Sequence, residues 1–500
     1  MKNSKEIQAN VITSILLQVA AVINSFIFSK VIITTFGSEI NGLNSSVKQF
    51  LNCISLIEGG IGAVILASLY SPYYNNDKQK INEIYSASKH FFMQIIGIFI
   101  IYSLLIAIIY PMTVNTTLDK KFVSALIIII SLSLIIQYYL FISDKLLLTA
   151  ANKIYIVNLA MSCAFVLNSI LTLALSKTHN IFIVQVGSCL AFLIQPIIYH
   201  TYSKKYFSPK RLKKFDKNIL EQRWDGFHQN LAYFINSNTD VIILTFFSLK
   251  EVSVYSVYLL VINGTKSIIL AISNSFQALI GKSVNIDNNR ELNKKFDIYK
   301  RMIQFISTVA FGTIILIIRW FVINYVKNVN DANYNRLLFS IIISLAYYII
   351  CFREPYNLLI NSANHFKQTI KGAVIEATIN VCLSIALVIN YGIIGVAIGT
   401  LVASIYRLVY FTRYLKFNII KYDFKKDIKN DISYLIVIIF DCVTSTITSS
   451  YIPQNWLIFV LMSCLMLILN ALLTIIATLL ADRKQFIADI AYIKKYIRNK

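Results

Sequence analysis

Four polar side chains in the stretch 228–247, HQNLAYFINSNTDVIILTFF, stand where a segment of membrane-crossing length is normally apolar. Gln229, Tyr233, Asn236 and Asp240 recur at steps of four, three and four, which gathers them on one face of a helix. The chemistry on offer is hydrogen bonding plus one carboxylate. That suits a lining for polar cargo, an ion-binding group, or a polar contact between helices. A carboxylate near mid-bilayer costs about 2.5–3.5 kcal/mol on insertion scales, so Asp240 has to face protein or a water-filled space rather than lipid.

Other chemistry-bearing residues sit in equally apolar surroundings. Lys30, Lys48, Lys266, Arg353 and Arg407 are cations, Glu58, Glu354 and Glu376 are acids, and Asn263 is a neutral hydrogen-bonding group. Ammonium and guanidinium groups in such places fit phosphate oxygens, whereas carboxylates there serve as ion-pair partners or ion-coupling groups. Glu376 is expected to partner Arg353 or Arg407, and Arg319 to snorkel to the outer membrane surface. The five histidines and seven cysteines show no ligand or disulfide spacing, so neither a metal site nor a disulfide framework is expected. A Gly-rich phosphate loop is absent, so ATP hydrolysis by this chain is not supported. No cofactor is expected, and coupling to a proton or sodium gradient is left open.

The elements that carry these residues are membrane spans. Of 500 residues, 57% are hydrophobic and only 14% charged, a composition of a polytopic all-α membrane protein. Apolar runs predict about fourteen helices, the closest two, 368–389 and 392–412, divided by Asn390, Tyr391 and Gly392. Formal net charge is +23, and the Lys and Arg residues concentrate at alternate connections, including 203–225, 282–301 and 413–429. That is the positive-inside pattern and places both termini in the cytosol. Nucleic acid is not needed to explain the charge; anionic lipid head groups are the natural partners of the basic loops.

The chain also repeats itself. At a separation of 212 positions Asn152 meets Asn364, Asn168 meets Asn380, Gly187 meets Gly399 and Tyr202 meets Tyr414; at 210, VIITTF (31–36) meets VIILTF (241–246). Each repeat holds an even number of spans, so the two run parallel in the membrane. The expected organisation is a lobe over 1–202, a basic cytosolic linker over 203–225, a second lobe over 226–417, and a helix pair with basic tail over 418–500. Two six-helix lobes follow. The alignment of 31–36 sets Lys30 against Asp240, and these two are expected to pair between the lobes. The third and fourth spans look almost purely apolar and are expected to cover the outside.

EGGIGAVILASLYSP (58–72), NTDVIILTFFSLKEVSVYSVY (238–258), REPYNLLINSANHFKQT (353–369) and INYGIIGVAIGTLVASIYR (389–407) carry a resemblance. The chain resembles the polysaccharide transporters, O-unit flippases included, of the multidrug/oligosaccharidyl-lipid/polysaccharide exporter superfamily. The resemblance implies a central cavity between the two lobes, and a polyprenyl-diphosphate-linked oligosaccharide as substrate, moved across the cytoplasmic membrane by alternating access for capsule, O-unit or cell-wall polymer assembly, alongside other polysaccharide assembly proteins. Two other readings stand beside it. A drug/cation antiporter of the same superfamily needs interior carboxylates, which exist, but the interior cations disfavour cationic cargo. A membrane polymerase or glycosyltransferase needs a sizeable outer loop, and the outer connections 37–46 and 248–252 are short.

Overall fold

The computed structural model describes the chain except for residues 1, 55–60, 213–226, 287–288, 421–427, 454 and 499–500. Among the described residues it is all helical, with no strand. Twelve helices there are long and apolar enough to cross a membrane. Helices are the expected solution, because lipid offers no partner for an open backbone N–H or C=O. Two further segments expected as spans fall partly outside the described residues. The 47–69 segment is divided between helices on either side of 55–60. The 228–247 segment is helical, but the side chains of 228–233 and 235–237 are not described and only Asn238–Phe247 enters the count, as a shorter apolar helix.

Contacts divide the chain into two compact units, Met1–Ser256 with Asn328–Ala332, and Val257–Lys327 with Asn333–Lys500. In the first lie α1 (Lys2–Phe36), α2 (Ser38–Leu51), α3 (Ile61–Tyr74), α4 (Lys78–Thr113), α5 (Lys120–Leu134), α6 (Ile142–Ala150), α7 (Ile154–Leu175), α8 (Ile181–Phe192), α9 (Ile194–Phe207) and α10 (Phe227–Phe247), with the start of α11 (Leu249–Asn274). A polar ladder ties α1 to α7: Asn10 donates to the Asn152 side chain at 3.0 Å, Asn158 to Ser14 at 2.9 Å and Asn168 to Asn24 at 2.9 Å. Asn10 and Ser14 are therefore used between helices. The beginning of α2 meets the start of α11 so closely that a Cβ on Gly42 would overlap the Leu249 carbonyl. Asn41 donates to Ser253 at 2.8 Å and the Ser46 and Thr245 hydroxyls are 2.6 Å apart. This contact keeps α10 with the first unit.

The second unit continues with α12 (Gln277–Ile286), α13 (Asn289–Tyr325), α14 (Leu337–Phe352), α15 (Glu354–Ser362), α16 (Phe366–Tyr391), α17 (Ile393–Asn418), α18 (Ile428–Ile447) and α19 (Trp456–Arg498). Asp441 and Asn470, the polar residues of the last two spans, meet each other at 2.8 Å over Gly312 of α13. Arg319 does not snorkel. It is 8% exposed and donates to Asn335 Oδ1 and to the Ser449 carbonyl, each at 2.6 Å, because the connections at that end fold over it. Lys300, whose basic neighbours place it in a cytosolic loop by sequence, is fully buried inside α13. Asp431 lies 3.8 Å from its ammonium and the Tyr356 ring 5.6 Å away.

The repeat is written into the local geometry of both units. α6 and α15 lie 212 residues apart at both ends, and each follows a break, at Leu140–Phe141 in one and Arg353 in the other. Asn152 and Asn364 both take the left-handed conformation, at φ 59° and 57°, which Asn tolerates better than most residues. Each closes the same pair of backbone bonds: Asn152 N–H to Thr149, Lys153 N–H to Leu148, Asn364 N–H to Asn361 and His365 N–H to Ile360. Gly187 and Gly399 both mark close helix approaches, against Leu175 and against Ser384 with the Asn380 carbonyl.

Candidate functional site

Pro355 explains where the tenth expected span breaks. It stands at the start of α15, where its missing N–H is tolerated, and Arg353 occupies the one-residue joint before it. From that joint the guanidinium reaches Glu376 of α16, with Nη2 2.7 Å from Oε1. Arg407 of α17 approaches the other carboxylate oxygen at 3.5 Å. All three are buried, at 8%, 5% and 8% exposure. Arg353 also donates to the Ser404 carbonyl at 3.4 Å and Arg407 to the Thr369 carbonyl at 3.2 Å. The Phe411 ring lies 4.3 Å from the Arg407 guanidinium. Gly372 makes room for it: a Cβ there would strike Tyr410 and Arg407 Nη1. Two cations share one anion, so the triad carries a surplus positive charge.

The remaining cations are held differently. Lys48 of α2 places its ammonium 4.5 Å from the Phe28 ring centre, and Lys266 of α11 lies 5.5 Å from the Tyr347 ring. Neither has a carboxylate within ion-pair distance among the described residues. Lys30, near the end of α1, is half-buried. Asp240 of α10 is 6% exposed and accepts the Tyr255 hydroxyl at 2.6 Å. Glu354 opens α15 and accepts a bond from Asn357 at 3.3 Å. Asn263 is exposed on α11. Glu58 and the side chain of Asn236 lie outside the described residues.

Sequence reasoning missed one group. Asp144 of α6, 1% exposed, accepts the Tyr85 hydroxyl at 3.2 Å and has His200 Nδ1 3.6 Å away. It lies just past the apolar run 122–143 that was expected as the fourth span. The signal was present in the repeat: FISDKLLLTAAN (141–152) falls on REPYNLLINSAN (353–364), the charged break of the other half.

The fold defined by these elements is shared with a lipid II flippase and with multidrug transporters of known structure. A lipid II flippase, MurJ, in an inward closed conformation is similar over 95% of this chain and 99% of its own, with a TM-score of 0.70 and 18% identity. A multidrug resistance MATE transporter in an inward-facing conformation covers 80% of this chain and 94% of its own, at TM-score 0.62 and 13% identity. The MATE multidrug transporter DinF-BH covers 82% and 95% at TM-score 0.59 and 14% identity. No protein-family model matches the chain, and no curated protein matches it.

Proposed function

We propose that the chain is a flippase that carries a polyprenyl-diphosphate-linked oligosaccharide across the cytoplasmic membrane, exposing its cargo to one side and then the other, for assembly of a surface polysaccharide. The observation that carries the reading is that the ammonium groups of Lys48 and Lys266 rest on aromatic rings with no carboxylate at ion-pair distance among the described residues, Glu354 acting on Lys266 only from farther off. A lysine at membrane depth costs about 2.5–3.5 kcal/mol. A ring face returns roughly 0.5–2 kcal/mol, so an anionic ligand has something to gain by arriving. The half-neutralised Arg353–Glu376–Arg407 triad points the same way. A diphosphate supplies the missing anion, and the neighbour named as a lipid II flippase supports a lipid-linked cargo. Asp240 then acts on Lys30, the two pairing without cargo and parting when a diphosphate competes. Exchanging the two residues should restore part of the activity lost in either single change.

In proteoliposomes, a fluorescent polyprenyl-diphosphate sugar should flip in a protein-dependent way. Lys48→Gln and Lys266→Gln should each slow flipping about tenfold or more, the worth of one charge-assisted bond, with thermal midpoints close to the parent's. Uptake of a cationic dye with no glycolipid movement would instead establish the drug/cation antiporter. Full activity in both variants removes the lysines from the cargo path.

A further inference from the structure

We propose that Asp144 and His200 form a proton-binding site in the first unit, distinct from the residues assigned to cargo. The Asp144 carboxylate is almost completely enclosed, yet among the described residues Oδ1 has no hydrogen-bond partner, and His200 Nδ1, which faces it at 3.6 Å, has none either. That distance is too long for a hydrogen bond and too short for a water to stand between. A buried carboxylate held by the Tyr85 hydroxyl and the nearby Ser203 hydroxyl, with no cation at bonding distance, is poorly stabilised, because the desolvation of a buried ion amounts to several kcal/mol. A single proton on the imidazole removes the problem. The N–H bond formed at Nδ1 turns the pair into carboxylate and imidazolium, net neutral, and the gap has only a few tenths of an ångström to close. Release returns the proton to water and leaves the pair at −1. The His200 side chain is 43% exposed although Nδ1 itself is enclosed, so the proton reaches Nδ1 and leaves it when the ring turns outward.

The surroundings favour a proton over a metal ion. Packed against α6 are α3, α4, α7 and α9. From α4 come Tyr85 and Lys89, and from α9 come His200 and the buried hydroxyl of Ser203; Arg211 acts on Tyr85 from beyond α9. α3 and α7 contain no charged residue, and Lys145 follows Asp144 on α6 itself. Lys89 lines a cavity of about 120 Å³ together with Tyr139, Phe141 and Asp144, and its positive charge repels a metal cation while balancing the unloaded pair.

The site also sits on a part of the fold built to bend. A wide helical turn at Ile135–Tyr139 ends α5, Phe141 takes a left-handed φ of 60°, and Asp144 lies in the first turn of α6, with its N–H on the Phe141 carbonyl at 3.1 Å. Such breaks and non-glycine left-handed residues gather at functional sites. Proton occupancy therefore acts on the joint of a membrane-spanning helix. Its bearing on transport rests on the flippase reading; the binding of the proton does not.

The test is nitrogen-15 NMR of the full chain, histidine-labelled and in lipid nanodiscs, with the His200 resonance assigned by its loss in His200→Gln. In Asp144→Asn, which removes the carboxylate facing Nδ1, the pH dependence of the His200 nitrogen-15 shifts should differ from the parent's. Lys89→Gln should change that dependence as well, and serves if Asp144→Asn does not fold. A dependence unchanged in the folded variants overturns the site. In parallel, glycolipid flipping should depend on pH in the parent and lose that dependence in His200→Gln; a dependence that persists overturns the site's bearing on transport. Absence of flipping in the parent would count against the flippase alone, and the titration would still judge the proton site.

Discussion

Glu376 is the residue on which the second unit's buried charge turns. Neutralising it leaves two enclosed guanidiniums facing each other, whereas removing either arginine leaves one intact pair. Breaking a buried pair from one side destabilises by about 3–5 kcal/mol. Glu376→Gln should therefore lower the thermal midpoint in detergent more than Arg353→Gln or Arg407→Gln. The double change Glu376→Gln with Arg407→Gln should recover part of the loss; a double variant worse than the single one would show the arginine to be held by its carbonyl contact instead. Glu39 makes a prediction in pH, outside the membrane spans. Burial alone pushes its carboxyl up, but bonds from the Thr117 hydroxyl and N–H and the Thr116 hydroxyl, with the charge of Lys250, outweigh this and hold it below the usual range. A carboxylate so lowered contributes stability above its unfolded pKa of about 4.3 and loses it as pH falls through the folded value. Glu39→Gln should narrow the gap between thermal midpoints at neutral pH and below about pH 4.3.

At the scale of elements, the approach of α2 to α11 leaves no room for a side chain. A methyl at Gly42 would run into the Leu249 backbone, which cannot swing aside as a side chain could. Overpacking typically costs about 1–3 kcal/mol, and here about 3 kcal/mol or more is expected because the obstacle is main chain. Gly42→Ala should accordingly lower the thermal midpoint strongly. Gly97 of α4 has nothing within 4 Å of its added Cβ, so Gly97→Ala should raise stability by about 0.5–1 kcal/mol through helix propensity. Equal effects at the two positions would mean that the α2–α11 contact is not kept in the membrane.

For the molecule as a whole, orientation follows from the basic connections. Ser208 and Ser450 are both exposed and stand at connections predicted to face opposite sides. With the seven native cysteines removed, Ser450→Cys should react with an impermeant thiol reagent on intact cells, and Ser208→Cys only after permeabilisation. The reverse pattern inverts the topology and with it the direction assigned to transport.

The spans and the 212-residue repeat were legible in the chain, because hydropathy and turn residues act within a few positions of themselves. Asn152 and Asn364 show how far this reaches: two asparagines matched by spacing share one left-handed turn. The identity of the intramembrane cations was equally plain, since a lysine in an apolar run is visible without a fold. What the cations do was not. Glu376 could be offered to Arg353 or Arg407, and only the packing of α16 between the Arg353 joint and α17 gives it to both. Arg319 and Lys300 looked solvated by sequence, and neighbouring segments cover them. Asp144 was not among the candidate residues, and only the packing of α4 and α9 brings Tyr85 and His200 to it. Burial and ion pairing depend on groups distant in the chain, so a charge's partner is fixed by tertiary structure even where its presence is fixed by sequence.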